Sequence, residues 1–145
     1  DRMIENCWIY KNECIESEPE GYFGFTYLIT DKKNNKIYVG KKQFTHKTKK
    51  KLSKKAKQLP ENKGKRILKG TKNSGWLNYY GSSKELNEQV KLLGEDNFKR
   101  EILEFAISKS DLTLKEIESQ VKYNVLRVNS YNLWIGGRVY RRFLN

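Results

Sequence analysis

The sequence has little of several residue types. Its 145 residues include one histidine, one methionine, two cysteines and two prolines. A structural zinc site takes about four ligands, which Cys7, Cys14 and His46 do not supply. The two cysteines bracket "WIYKNE", a short N-terminal hairpin in prospect, and are read as plain thiols in a reducing setting. The longest apolar runs are four or five residues. A membrane span needs about 18 and a signal peptide at least about 7, so neither is expected, and a cytoplasmic protein is. No Ser-His-acid arrangement and no P-loop is present. Scarce proline and 37% hydrophobic residues argue for a modest core and against extensive disorder.

Acidic residues are also scarce, and unevenly so. Thirty Lys and Arg face 17 Asp and Glu, for a net charge of +13. Residues 41 to 73 hold 14 of the cations and a single acid, Glu61, while the remainder of the chain balances at 16 of each sign. The excess is one patch. Clustered cations repel one another unless an anion meets them, so the patch is the footprint of a polyanion binder. It lacks the apolar face of an interfacial helix, which favours nucleic acid over a membrane surface.

The length suits one domain. Residues 7–10 and 14–16 form the short hairpin, and strands run over about 24–30 and 36–42 around "DKKNNK". A basic insert follows, with a helix expected at 50–59 before Pro60. "SSKEL" opens a helix at about 83–93, Ser82 and Glu85 having capping-box spacing. A third strand covers 98–107. A helix spans about 111–127, with Leu114, Ile117, Val121, Val125 and Val128 as its apolar stripe. The order predicts an α+β fold, a three-stranded sheet with helices around it.

In "KIYVGKK" the side chains alternate, so Tyr38, Gly40 and Lys42 share a face. Gly40 leaves a gap there that a backbone or a phosphate could enter.

"FTY" (25–27) and "YVG" (38–40) resemble the paired motif of the GIY-YIG nucleases. The likeness extends over nearly the whole chain: "WIY" (8–10), "PEGYFGFTY" (19–27), "YVGKK" (38–42), "WLNYYGS" (76–82), "EIESQVKYNVL" (116–126) and "YN" (131–132). More closely, the chain resembles small phage-encoded, homing-type members. The resemblance implies an antiparallel three-stranded sheet flanked by helices, within a single nuclease domain over 1–145. That domain would comprise an N-terminal extension (1–20), a DNA-contacting insert (41–75) and a basic tail (133–145). It implies metal-dependent hydrolysis of phosphodiester bonds in double-stranded DNA with Mg²⁺ or Mn²⁺, of homing or restriction type, by a monomer or homodimer without membrane contact. For a phage-encoded protein the setting is the host's bacterial cytoplasm. The alternative is a non-catalytic nucleic-acid-binding module on the same scaffold.

By carry-over, Tyr27 and Tyr38 sit at the attacking water, Glu116 is the sole protein ligand of the cation, and Asn132 fixes the end of the site wall. Glu118 lies nearer the apolar stripe, but Glu116 has the family spacing, four before Gln120. The arginine usual in the family about eight residues after the glycine is absent, since position 48 is Thr48. Alternation selects Lys42 over Lys41 as its substitute, with His46 as a second proton-handling candidate. The transition state gains negative charge, so the site needs cations. A phenol of pKa about 10 needs help to act as a base. The DNA-binding candidates are Lys41, Lys49, Lys50, Lys51, Lys54, Lys55, Lys65, Arg66, Ser82, Arg138, Arg141 and Arg142. Ser82 qualifies through the free amides at the start of its helix.

Overall fold

The computed structural model describes residues 6–64 and 67–144, without the side chains of Lys50, Lys51, Ala56, Asn62, Ile67 and Leu68. The first hairpin joins β1 (Trp8–Tyr10) to β2 (Glu13–Ile15). Its turn residues Lys11 and Asn12 are both left-handed, with φ of 48° and 69°, the geometry that matches strand twist. Cys7, just before β1, and Cys14, within β2 opposite Ile9, are joined as a disulfide, their Cα atoms 5.8 Å apart. The expectation of plain thiols is thereby corrected: so tight a turn brings the flanking residues within bridging distance.

β3 (Gly24–Asp31) and β4 (Lys36–Gln43) pair antiparallel, and β3 pairs antiparallel with β7 (Phe98–Ala106) on its other side. These are the three strands expected. The N-terminal hairpin lies on the outside of β7, with Trp8 opposite Arg100 in parallel register, so the full order is β2-β1-β7-β3-β4.

One face of the sheet is aromatic. Trp8, Phe25, Tyr27 and Ile29 pack with Phe44, Trp76 and Tyr80 and with Leu86 and Val90 of α2 (Lys84–Leu93). The Trp8 indole N–H donates to the Trp76 carbonyl at 2.7 Å. Arg100 is buried here, its guanidinium 4.7 Å from the Trp8 ring and 4.2 Å from the Tyr80 ring. Its Nη1 donates to the carbonyls of Leu77 and Tyr79 at 3.0 and 2.8 Å. Those bonds fix the segment 77–79 that leads to Ser82. Ser83, not Ser82, caps α2, accepting from the Leu86 amide at 3.1 Å.

The opposite face carries Val39, Val125 and Leu126 under α3 (Lys109–Lys122). The expected stripe of this helix is corrected: Leu114, Val121 and Val128 are exposed, while Leu112, Ser119 and Gln120 are buried. Helical spacing does not extend to Val125 and Val128, because the helix ends at Lys122 and Asn124 turns left-handed, φ 54°. The insert is corrected too. Instead of a helix over 50–59 it is a two-stranded ribbon, β5 (Thr45–Lys51) against β6 (Ile67–Asn73), with a four-residue helix α1 (Lys54–Lys57) beyond β5. Thr45, Thr48 and Thr71 are residues that favour strands, whereas a run of cations along one helix would stack like charges. Among the described residues no helix is long and apolar enough to cross a membrane.

Candidate active site

β4 is the last strand of its sheet, and its outer edge is covered by side chains and by one stretch of backbone. The Ile37 amide donates to the Asn129 carbonyl at 3.1 Å, and the Tyr131 amide donates to the Ile37 carbonyl at 2.8 Å. Two residues along the edge, Asn132 grips Val39. Its Oδ1 accepts from the Val39 amide at 3.0 Å, and its Nδ2 donates to the Val39 carbonyl at 2.8 Å. Gln120 Nε2 donates to that same carbonyl at 3.0 Å. A buried amide pair thus replaces the missing neighbouring strand up to Val39.

An open cleft of about 440 Å³ follows, lined by both faces of the sheet at once. Tyr38 enters from the aromatic face, its hydroxyl 2.8 Å from the Ser82 hydroxyl. Lys41 and Glu116 enter from the α3 face. The Lys41 ammonium lies 3.7 Å from a Glu116 carboxylate oxygen and donates to the Thr113 hydroxyl at 3.1 Å. Burial raises the Glu116 pKa, and Lys41 opposes the shift. Burial also raises the Tyr38 pKa, against the opposing hydrogen bond with Ser82. Glu118 is exposed on another side of α3, beside Glu104 and Lys122.

Tyr27 does not line the cleft. It is fully buried beneath Tyr38, ring centroids 6.2 Å apart, and burial pushes its pKa well above the ordinary phenol value. Gly40 is what makes room for it. A Cβ at position 40 would lie 2.5 Å from the Tyr27 hydroxyl oxygen and 3.1 Å from Tyr38 Cε2. The gap expected to admit a phosphate is therefore filled by tyrosine. Gly81, φ +91°, closes over the other side of the Tyr38 ring, where a Cβ would be 3.1 Å from Cε2.

The remaining candidates are dispersed. Lys42 shares the face of Tyr38, as alternation requires, but its ammonium sits 4.1 Å from the centre of the Tyr79 ring. His46 is at the root of the ribbon, its Nδ1 3.1 Å from Gln43 Nε2. Lys49 lies exposed on β5, and Lys54 and Lys55 are exposed on α1. The side chains of Lys50 and Lys51, and Lys65 and Arg66 entirely, lie outside the described residues. Arg138 and Arg142 are exposed, the latter over the Phe143 ring at 4.7 Å. Arg141 is turned inward: it donates to the Asn132 and Val128 carbonyls at 3.0 Å, to the Val125 carbonyl, and to the Ser130 hydroxyl at 2.9 Å. It braces the segment that carries Asn132. Sequence reasoning did not single out Thr113, nor Leu133 and Trp134, which form the apolar end of the cleft. None of these has a motif of its own.

A single recessed carboxylate opening on a wide polar cleft suits a hard divalent cation that keeps most of its waters. Among the described residues no group of three His, Cys, Asp or Glu forms a richer ligand set. The donor set therefore fits such an ion at Glu116 and does not fit a structural zinc.

Residues 8–135 match the family model SegE_GIY-YIG, described as "Putative endonuclease segE, GIY-YIG domain". No curated protein and no solved structure matches the chain. The match spans most of the sequence, from β1 to the apolar end of the cleft, and the chain belongs to this GIY-YIG family.

Proposed function

We propose that the protein is a DNA endonuclease that hydrolyses phosphodiester bonds in duplex DNA with Mg²⁺ or Mn²⁺, a homing- or restriction-type enzyme acting in a bacterial cytoplasm. The observation that carries this reading is the meeting of Tyr38, Lys41 and Glu116 in one cleft at the β4 edge. Glu116 would hold the cation, which when bound supplies Lewis-acid charge to the phosphate oxygens. Tyr38 orients the attacking water. A phenol is protonated near neutral pH and burial shifts Tyr38 further that way, so with its hydroxyl 2.8 Å from that of Ser82 the phenol acts as a relay. The water oxygen forms the new bond to phosphorus, its proton passes to Tyr38, and the proton of Tyr38 leaves through Ser82 to solvent. The departing sugar oxygen takes a proton from solvent. Lys41 supplies the cation that the transition state needs beside the carboxylate, the role the sequence assigned to Lys42. Tyr27 packs under Tyr38, and Asn132 holds the strand; both are positioning residues.

The test is supercoiled plasmid incubated with Mg²⁺ or with EDTA. Nicking or linearisation with Mg²⁺ alone, lost in Glu116→Gln while DNA affinity stays within a few fold, is expected. Tight DNA binding with no cleavage at any metal concentration would overturn the reading. Cleavage by Glu116→Gln but not by Glu118→Gln would move the metal ligand by two residues.

A further inference from the structure

Among the described residues, β5 and β6 form a two-stranded sheet of their own. Its root is fixed: Phe44 is buried in the aromatic core, the Ser74 amide donates to the Phe44 carbonyl at 2.9 Å, and the Ser74 hydroxyl donates to the Gln43 carbonyl at 2.6 Å. Beyond the root, neither strand, THKTKKK or ILKGTKN, contains an acid. The register sets Lys49 directly opposite Lys69, and Lys47 opposite Thr71, and all four are exposed. Like charges directly opposite destabilise a pair of strands, and an isolated two-stranded hairpin is marginal in water. Glycine in a strand interior weakens it further and often marks close approach of another molecule. Gly70 lies opposite Thr48 and is exposed. By its own chemistry this ribbon is poorly stabilised, and a dense line of negative charge on both sides would stabilise it.

We propose that the β5–β6 ribbon lies in the major groove of duplex DNA. The proposal rests on the reading of the chain as a protein that acts on duplex DNA. Two strands about 4.8 Å apart, with side chains on both faces, fit a groove about 12 Å wide and are too broad for the minor groove of about 6 Å. Seven paired residues run roughly 20 Å, the reach of several base pairs. In the groove, phosphates flank the ribbon on either side and relieve the Lys49–Lys69 repulsion. The same face carries Thr45, Thr71 and Asn73 beside Lys47, Lys49 and Lys69, residue types that hydrogen-bond to base edges. The ribbon is thus a groove-reading element rather than a backbone clamp laid over the outside of the duplex.

The test is binding of a labelled mixed-sequence duplex in EDTA, so that cleavage plays no part. Competitors are methyl green, which occupies the major groove, and netropsin, which occupies the minor groove. Methyl green is expected to weaken binding tenfold or more, and netropsin less than twofold. The double variant Lys49→Gln, Lys69→Gln should flatten the dependence of log K on log salt by up to about 2 units. Its melting temperature should equal or exceed that of the parent, because a repulsion has been removed. Displacement by netropsin and not by methyl green would overturn the proposal, as would a double variant with unchanged affinity and salt slope. Plasmid cleavage is read separately. Cleavage with the wrong groove sinks the ribbon proposal alone, and major-groove binding without cleavage sinks the nuclease reading alone.

Discussion

Replacing Gly40 by alanine adds one methyl group at the most crowded point of the site. That Cβ would meet the Tyr27 hydroxyl oxygen at 2.5 Å, Tyr27 Cζ at 2.8 Å and Tyr38 Cε2 at 3.1 Å, all inside ordinary van der Waals separation. Tyr27 cannot swing aside. It is fully buried, with the rings of Trp8, Phe25 and Tyr79 at centroid distances of 5.2, 6.1 and 6.0 Å. Overpacking of this kind costs about 1–3 kcal/mol, a melting temperature lower by roughly 2–12 °C for a chain of this size. Tyr27→Phe deletes the closest atom and leaves the ring. Thermal melts of the parent, the two single variants and the double variant form a cycle. The double variant should be more stable than additivity predicts by at least about 0.5 kcal/mol, the scale of coupling between touching residues. Gly40→Ala should also lose cleavage by more than its unfolded fraction explains, since Tyr38 is displaced with Tyr27. A Gly40→Ala protein that melts within a degree of the parent, or a strictly additive cycle, would refute this account of the glycine.

Lys41→Met should lower plasmid cleavage by roughly 10²-fold and Lys42→Met by no more than a few fold; the reverse order in initial rates would return the transition-state role to Lys42. Arg141→Met leaves the Asn132 and Val128 carbonyls without their Arg141 donor, while Val125 keeps the Ser130 hydroxyl, and should cost about 1–3 kcal/mol in urea denaturation, with the salt slope of DNA binding unchanged; unchanged stability with weakened binding would make it a DNA contact instead. Burial would raise the Asp31 pKa, but hydrogen bonds from Asn34, Tyr131 and Asn97 outweigh it and hold the carboxyl below its ordinary value. Its stabilisation is therefore complete above the unfolded carboxylate pKa of about 4 and is lost as pH falls through the lower folded value. Asp31→Asn should flatten the fall of unfolding free energy between pH 5 and pH 2, and an equal slope in the two proteins would rule this out.

The central strands were legible because their signals are local. Alternation in "KIYVGKK" and the turn residues Asn34 and Asn35 act on near neighbours, and β3 and β4 lie where those signals put them. The last helix was legible in position but not in orientation. Its sheet-facing side carries Glu116, Ser119 and Gln120, because the edge of β4 needs a hydrogen-bond donor more than it needs another valine. A wheel drawn on hydrophobicity cannot register that need. The ribbon is not legible for a related reason: a lysine-rich segment has no apolar period, so the pairing of β5 with β6 across the fifteen intervening residues leaves no mark in either strand alone.

The shift from Lys42 to Lys41 has the most consequence for the site. Alternation correctly puts Tyr38 and Lys42 on one face, and a site built on one face would have used both. Glu116 reaches β4 from the other face, and only a residue of odd number on that strand can meet it. Both conditions hold together only where the sheet ends, since a strand with neighbours on both sides would separate Tyr38 from Glu116. The proposed chemistry thus depends on the terminal position of β4. It also explains why Asn132 and Gln120 are spent on the backbone of Val39: they close the exposed edge as far as the site and leave it open beyond. Asn132→Ala should then act as a loss of strand register rather than of a reacting group. It should lower stability and blur the Tyr38–Ser82 contact, leaving DNA affinity through the ribbon intact. If Asn132→Ala melted like the parent and lost only cleavage, Asn132 would have to touch the substrate itself.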